Sequence, residues 1–332
     1  MIYTNLYEET LIKPAKEGAD TLRIISGYAT AAMAFHHLQD LKRKPYNSDF
    51  RISLLVGMCP EDGLSISNHR AFQSIASSEE YSKNFSCSYV FNNPPVHSKI
   101  YIWYKGINFY KAFVGSANYT QNAFSKNQRE LLAEIKDSDI DSYYKLIEKD
   151  SIFCTHIDTE NLIKIYNDKN YYKYHLHEES IAAKDSKLIP DISNVEHVTV
   201  SLLSVRTGDV QKTGGLNWGQ RERREPNQAY IQLSPDVYRS DFFPSKRQHF
   251  TVITDDSRTF ICVRAQKSDD GQAIETPHNN SLLGEYFRNR LGLSNGAFIT
   301  RTDLEHYGRT DVVFYKFDNE NYYMDFSVKQ NG

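Results

Sequence analysis

The residues with the clearest chemical content are two short strings, Val96-His97-Ser98-Lys99-Ile100-Tyr101 and Val114-Gly115-Ser116-Ala117-Asn118. Residues 96–103 read as a β-strand, and because side chains alternate along a strand, His97 and Lys99 are expected on one face. After a turn at Gly106, a second strand over 109–114 runs into small residues that expose Ser116 and Asn118 at its end. An imidazole attacks an electrophile or carries a proton, while an ammonium and a carboxamide donate hydrogen bonds to an anion. Attack on a phosphodiester needs these groups: a nucleophile, a proton for the leaving oxygen and positive charge around the phosphoryl oxygens. A His-x-Lys string alone is ordinary on a strand surface, so the weight rests on its pairing with Gly-Ser-x-Asn. Ser116 has a competing local role, capping a helix that begins at Asn118.

The first half alternates short β-prone runs with helical segments, the pattern of an α/β sheet flanked by helices. Strands are expected over 22–27, 50–57, 87–91, 96–103, 109–114 and 131–135, and helices over 31–43, 66–77 and 138–149. A tyrosine-rich stretch, 162–177, reads as a helix closing this half, with Tyr171, Tyr172 and Tyr174 as packing residues. The polar passage 178–194 reads as a linker. From His197 the texture changes to short strands with Gly, Asn and Pro turns, expected over 198–205, 229–233, 250–254 and 259–265, with one helix over 281–291. That is a β-rich barrel or pseudobarrel with one or two helices. The expected division is 1–180, a linker 181–194, and 195–332.

A chain of 332 residues suits two domains of about 150 residues each. With 23 Tyr and 18 Phe, both halves can bury a core. The four cysteines, Cys59, Cys87, Cys154 and Cys262, lie far apart with no C-x-x-C pair, which argues against a disulfide framework and a structural zinc site. Residues 1–16 mix acids and lysines with apolar residues and do not read as a signal peptide, and no run is long enough to span a bilayer. A cytoplasmic location is expected. The net charge of -3 offers no bulk attraction to a polyanion, so such binding requires local clusters. Arginine is scarce before residue 195 and outnumbers lysine after it, and its planar fork suits phosphate and the guanine edge.

The first two strings resemble the phospholipase D superfamily, whose pattern is His-x-Lys, a spacer, an Asp, then Gly-Ser-x-Asn. The usual Asp five places after the Lys is Tyr104 here, which disfavours phospholipid hydrolysis. A restriction-endonuclease branch also lacks that Asp and carries a Glu shortly after the Asn, and Glu130 stands there. The resemblance implies His97 as nucleophile forming a phosphohistidine, a second imidazole as proton donor, and Lys99 and Asn118 as the phosphate clamp. It implies no metal cofactor. Superfamily sites combine two His-x-Lys motifs and this chain has one credible copy, so a homodimer through the N-terminal domain is expected to complete the site.

The segment 205–221 is dense in groups that read base edges: Arg206, Asp209, Lys212, Asn217, Trp218, Gln220 and Arg221, set among glycines. Arg264 and Gln266 alternate onto one face of a later strand. Arg223 and Arg224 read as phosphate contacts, which position a protein without reading sequence. A mobile glycine-rich surface loop is the plainer account of 205–221. The strings 215–221, 226–231 and 283–288 resemble the C-terminal half of NgoFVII-type restriction endonucleases, a likeness that spans nearly the whole chain. It implies a B3-like pseudobarrel gripping the major groove with two arms, 206–221 and one containing residues 264–267.

The resemblance thus implies a site-specific endonuclease acting on double-stranded DNA, with a cognate DNA methyltransferase protecting host DNA. Some members depend on a separate helicase-like ATPase subunit, and no G-x-x-x-x-G-K motif is present here, so any ATP dependence would enter through such a subunit. The alternatives are a superfamily phosphodiesterase acting on lipid or RNA, and a non-catalytic DNA-binding regulator.

Overall fold

The computed structural model describes residues 1–43, 49–125, 128–167, 195–245, 247–265 and 271–328. The chain separates into two units, Met1–Ile181 and Ala182–Gly332, each with its own sheet.

The strands of the first unit are β1 (Thr21–Ser26), β2 (Arg51–Val56), β3 (Leu64–Ser65), β4 (Phe85–Val90), β5 (Ile100–Lys105), β6 (Asn108–Gly115), β7 (Leu132–Ile135), β8 (Ser151–Phe153) and β9 (Ile165–Tyr166). Seven form one sheet in the order β7-β6-β5-β1-β2-β4-β8, and β3 pairs with β9 separately. β1, β2 and β4 run parallel, whereas β5 to β8 are antiparallel to their neighbours. Helices Ala31–Arg43 and Ile66–Ser77 coincide with the expected spans. Every residue of β5 except Lys105 is buried, which is why Ile-Tyr-Ile-Trp-Tyr shows no polar alternation: both faces of the sheet are covered. Ile100, Ile102 and Tyr104 pack on one face with Ile25, Leu55 and Tyr144. On alternate positions the Tyr101 hydroxyl donates to the Ala117 carbonyl at 2.8 Å and the Trp103 indole to the Thr10 carbonyl at 2.8 Å.

Two expectations shift here. The strand read over 96–103 begins only at Ile100, because Val96 is drawn aside to pair with Gly57, its N–H reaching the Gly57 carbonyl at 2.9 Å. A side chain at Gly57 would lie 2.0 Å from the Val96 carbonyl oxygen, so only glycine permits this approach. Over 162–167, the described part of the helix read over 162–177, there is none: Thr159–Leu162 ends as Ile163 turns to extended backbone, and β-branched Ile165 enters β9. The rest of that stretch, Tyr171, Tyr172 and Tyr174 included, and the expected linker lie outside the described residues.

The second unit contains β10 (His197–Ser201), β11 (Ile231–Gln232), β12 (His249–Thr254), β13 (Thr259–Ala265), β14 (Ala273–Glu275), β15 (Asp311–Lys316) and β16 (Asn321–Asp325). They form one sheet in the order β10-β15-β16-β12-β13-β14-β11, and its end strands come together, so the sheet closes into a near-barrel. Its core is aromatic, with Phe243 against Phe250, Phe314 and Tyr322 at ring separations of 5.2 to 5.6 Å. Helix Ser281–Arg290 seats against the 225–228 segment, and a side chain at Gly284 would meet the Asn227 carbonyl oxygen at 1.7 Å. Sequence reading missed β14, β15 and β16, and the helices Pro235–Arg239 and Arg301–Tyr307. The last has a legible signal, the Thr300–Asp303 capping box.

Helix Ala31–Arg43 holds His37 fully buried, its Nδ1 2.9 Å from the Tyr119 hydroxyl and its Nε2 3.1 Å from the Leu11 carbonyl. Burial pushes this imidazole down to about 4 from an ordinary 6.5. Between those pH values the unfolded chain binds a proton that the folded chain refuses, so stability falls as pH drops from 6.5 towards 4. The His37 contribution is about 3 kcal/mol across that window. Urea titrations at pH 7, 6 and 5 should show the decline, and His37→Gln should flatten it. A slope unchanged by that substitution refutes the assignment.

Candidate functional site

The parallel strands β1 and β2 end at Ser26 and Val56, and the antiparallel register places the start of β5 and the end of β6 at the same end of the sheet. There the chain presents 26–30, 57–58, 96–99 and 115–118 together. The Gly57 N–H donates to the Ser26 carbonyl at 2.8 Å, and the Gly115 N–H to the Lys99 carbonyl at 3.2 Å. Backbone contacts therefore fix the positions from which the functional side chains project.

His97 and Lys99 meet as expected, although by a different route. Both precede the strand, and the Lys99 side chain folds back so that Nζ lies 2.5 Å from the His97 carbonyl oxygen and 3.0 Å from each ring nitrogen. The ammonium donates, and of the two ring nitrogens the one that carries no proton accepts. His97 is exposed, while Lys99 is 5% accessible. Burial lowers the Lys99 ammonium below the ordinary lysine value, and the Glu130 carboxylate opposes that shift.

Asn118 is held by its carbonyl side. Its Oδ1 accepts from the Tyr28 N–H at 3.1 Å and lies 3.4 Å from Ser26 Oγ, which leaves the amino end of the carboxamide as the donor for a ligand. Ser116 donates from Oγ to the Glu130 carboxylate and accepts from the Leu131 N–H at 3.1 Å. This contact stitches the end of β6 to the start of β7. The helix-capping alternative fails for Ser116, because the helix in question begins at Gln121 with Thr120 as its cap.

Tyr104 stands away from the site. In the register of β5 it faces Thr21, at the opposite end of β1 from Ile25 and Ser26, and its hydroxyl donates to Asp141. Asp141 is also held by Arg23 at 2.6 Å. The Tyr at the motif's acid position is thus part of the domain's packing.

Sequence reasoning missed Ser26 and Tyr28. Ser26 is fully buried; its Oγ donates to the Tyr28 carbonyl at 2.5 Å and accepts from the Tyr119 N–H at 2.9 Å. Tyr28 lies edge-on to His97, ring centroids 6.2 Å apart, and its hydroxyl donates to Asp62 at 2.5 Å. Nothing in their spacing marks either residue, since both act through contacts made more than thirty positions away.

In the second unit the expected base-reading residues divide. Arg206, Asp209, Lys212, Arg221, Arg223 and Arg224 are exposed. Three others are engaged inside the domain. Asn217 is fully buried, its amide donating to the Ile299 and Gln211 carbonyls and accepting from the Ile299 N–H. The Gln220 amide donates to the Gly296 carbonyl at 3.0 Å. Arg264 is 8% accessible and donates to the carbonyls of Tyr238, Gly271 and Pro244. Segment 215–220, expected as a loop tracking a groove, is a 3-10 turn packed on the domain, because Leu216 and Asn217 are drawn into the interior. Arg221 donates to the Thr213 carbonyl at 2.6 Å, and Arg224 lies over the Trp218 ring at 3.9 Å. Gln266 lies outside the described residues. No helix among the described residues is long and apolar enough to cross a membrane.

Removing the Ser26 hydroxyl leaves the buried Tyr119 N–H unpaired, at a cost of about 1–3 kcal/mol, and loosens the grip of 26–30 on Asn118. Ser26→Ala should therefore lower the thermal midpoint and the urea midpoint of the first unit, and Ser26→Thr, which keeps the hydroxyl, should restore much of the loss. Midpoints equal to those of the parent protein contradict this positioning role.

Two family descriptions match the chain: the NgoFVII restriction endonuclease N-terminal PLD domain over residues 4–161, and the NgoFVII C-terminal B3-like DNA-binding domain over residues 191–318. No curated protein matches the sequence. Among solved structures, NucT from Helicobacter pylori is 16% identical, with 44% of this chain and 93% of that chain covered and a TM-score of 0.31. The polyphosphate kinase from Porphyromonas gingivalis is 15% identical, with 47% and 24% covered and a TM-score of 0.29. The two family matches together span most of the sequence, and the chain belongs to the NgoFVII restriction endonuclease family, with a phospholipase D-like nuclease domain followed by a B3-like DNA-binding pseudobarrel.

Proposed function

We propose that this chain cleaves double-stranded DNA at a specific sequence, without a metal ion, through a phosphohistidine formed in an active site shared by two copies. The observation that carries the reading is the meeting of His97 with the Lys99 ammonium at 3.0 Å, at the same sheet end as Asn118. His97 of one copy attacks phosphorus and the leaving DNA oxygen takes a proton from His97 of the second copy. That second imidazole then accepts a proton from water, whose oxygen displaces the phosphohistidine and regenerates the first ring. Lys99 and the Asn118 amino group donate to the phosphoryl oxygens, where negative charge grows in the transition state. Ser116 and Glu130 secure the strand ends beneath them. Each copy supplies one His-x-Lys pair, so a two-fold axis at the scissile phosphate completes the set.

On this reading the exposed cations Arg206, Lys212 and Arg223 hold the DNA backbone. A cognate methyltransferase protects host sites. Cleavage assays with the chain alone, and with a helicase-like ATPase subunit and ATP added, decide whether it acts independently.

His97→Ala should abolish cleavage while retaining specific DNA binding, because the two activities lie in different units. Mixed with wild-type protein it should poison hybrids, so that activity falls roughly as the square of the wild-type fraction when half-sites pair at random. Substantial cutting by the pure variant overturns the nucleophile assignment, and a linear fall overturns the shared site.

Cleavage should also persist in excess EDTA, since protein cations and amides supply the positive charge. A strict Mg²⁺ requirement for the isolated enzyme refutes the metal-independent mechanism.

A further inference from the structure

The second unit contains a cavity of about 640 Å³ bordered by the 201–206 and 232–238 segments, within the range of cavities that hold a specific ligand. Its polar lining includes Gln211, Gln232, Gln272 and Arg206, its apolar wall includes Tyr238, and among the described residues no acidic side chain lines it. We propose that Gln232 and Gln272 are specificity-determining residues that read adenine-containing base pairs of the DNA duplex, with Arg206 at the rim. This deepens the proposed sequence-specific function and rests on it.

The argument starts from which amides remain available. A carboxamide reads adenine by accepting from N6 and donating to N7 in the major groove, so it must keep both ends accessible. Asn217 and Gln220, the amides singled out by sequence pattern, donate to carbonyls of their own domain, and Arg264 is bound by three more. Gln232 is exposed, and its amide oxygen accepts from the Gln211 amide. That contact takes one lone pair of the Gln232 oxygen and leaves the other, and the amino group has no protein partner among the described residues. Gln272 is half-buried at the cavity edge.

Both glutamines sit on fixed backbone. Gln232 ends β11 and pairs with Ala273, and the Leu233 N–H donates to the Gln272 carbonyl at 2.8 Å. A reading group carried by a paired strand holds its position more tightly than one on a loop.

The test uses the full chain carrying His97→Ala, so that binding is read without cutting, in a randomised-duplex selection followed by competition titration. The parent should enrich a sequence containing A·T pairs. Gln232→Ala and Gln272→Ala should each lose discrimination at one A·T position by roughly 5- to 150-fold, with binding to random DNA unchanged. Replacing that adenine by 7-deazaadenine, which lacks N7, should weaken the parent and leave the variant indifferent. Gln232→Met, which keeps the volume, should behave as Gln232→Ala does. Variants that retain the parent's preference at every position overturn the proposal while sequence-specific recognition stands. Equal losses on specific and random DNA also overturn it, as the mark of a general effect on the domain. If the parent enriches no sequence, sequence-specific recognition itself fails, and this assignment with it.

Discussion

One buried hydroxyl ties together the sheet end of the first domain that carries His97, Lys99 and Asn118. Ser26 Oγ accepts from the Tyr119 N–H and donates to the Tyr28 carbonyl, joining the segment after β1 to the segment after β6. Asn118 is anchored through the same junction, its carboxamide oxygen facing the Tyr28 N–H. On the other side of β1, Gly57 allows Val96 to approach closely enough for backbone pairing, which sets where His97 leaves the chain. Each of these hydrogen bonds contributes about 0.5–1.5 kcal/mol. Their common effect is to fix the 26–30, 96–99 and 115–118 segments relative to one another.

The electrostatics follow from that packing. Lys99 is nearly enclosed, and burial disfavours its charge, yet Nζ finds the His97 carbonyl and ring as acceptors and Glu130 as a favourable charge. A partly desolvated ammonium has fewer competing water contacts to lose when a phosphate arrives, so its interaction with that anion is stronger than at an open surface. Neighbouring His97 remains exposed. Asp141, by contrast, draws Arg23 and Tyr104 into a separate cluster whose role is packing within the domain.

The second domain obeys a different constraint: irregular segments packed on a barrel must still satisfy their backbone carbonyls. Arg264 does this for three carbonyls and Asn217 for two, and fully buried Arg288 donates to the Ala297 carbonyl at 2.7 Å and the Gly284 carbonyl at 3.2 Å. Side chains whose chemistry suits base reading are used here to hold loops in place. Arg206, Asp209, Lys212, Arg221, Arg223 and Arg224 remain exposed.

The sequence by itself determined the two-domain division of texture, the spans of helices Ala31–Arg43 and Ile66–Ser77, and the strings carrying His97, Lys99, Ser116 and Asn118. These were legible because periodicity and motif spacing are local properties, set by backbone geometry over a few residues. The irregular stretch before β5 was not, since its departure from a strand depends on Gly57, some forty residues earlier. Nor were the roles of Ser26 and Tyr28, whose partners lie about seventy to ninety residues along the chain. In the second domain, composition marked Asn217, Gln220 and Arg264 as readers, and the structure engages all three with backbone carbonyls of their own domain. Which of two identical side chains faces solvent is settled only when the carbonyls needing donors are brought beside one of them, and that is a property of the tertiary structure.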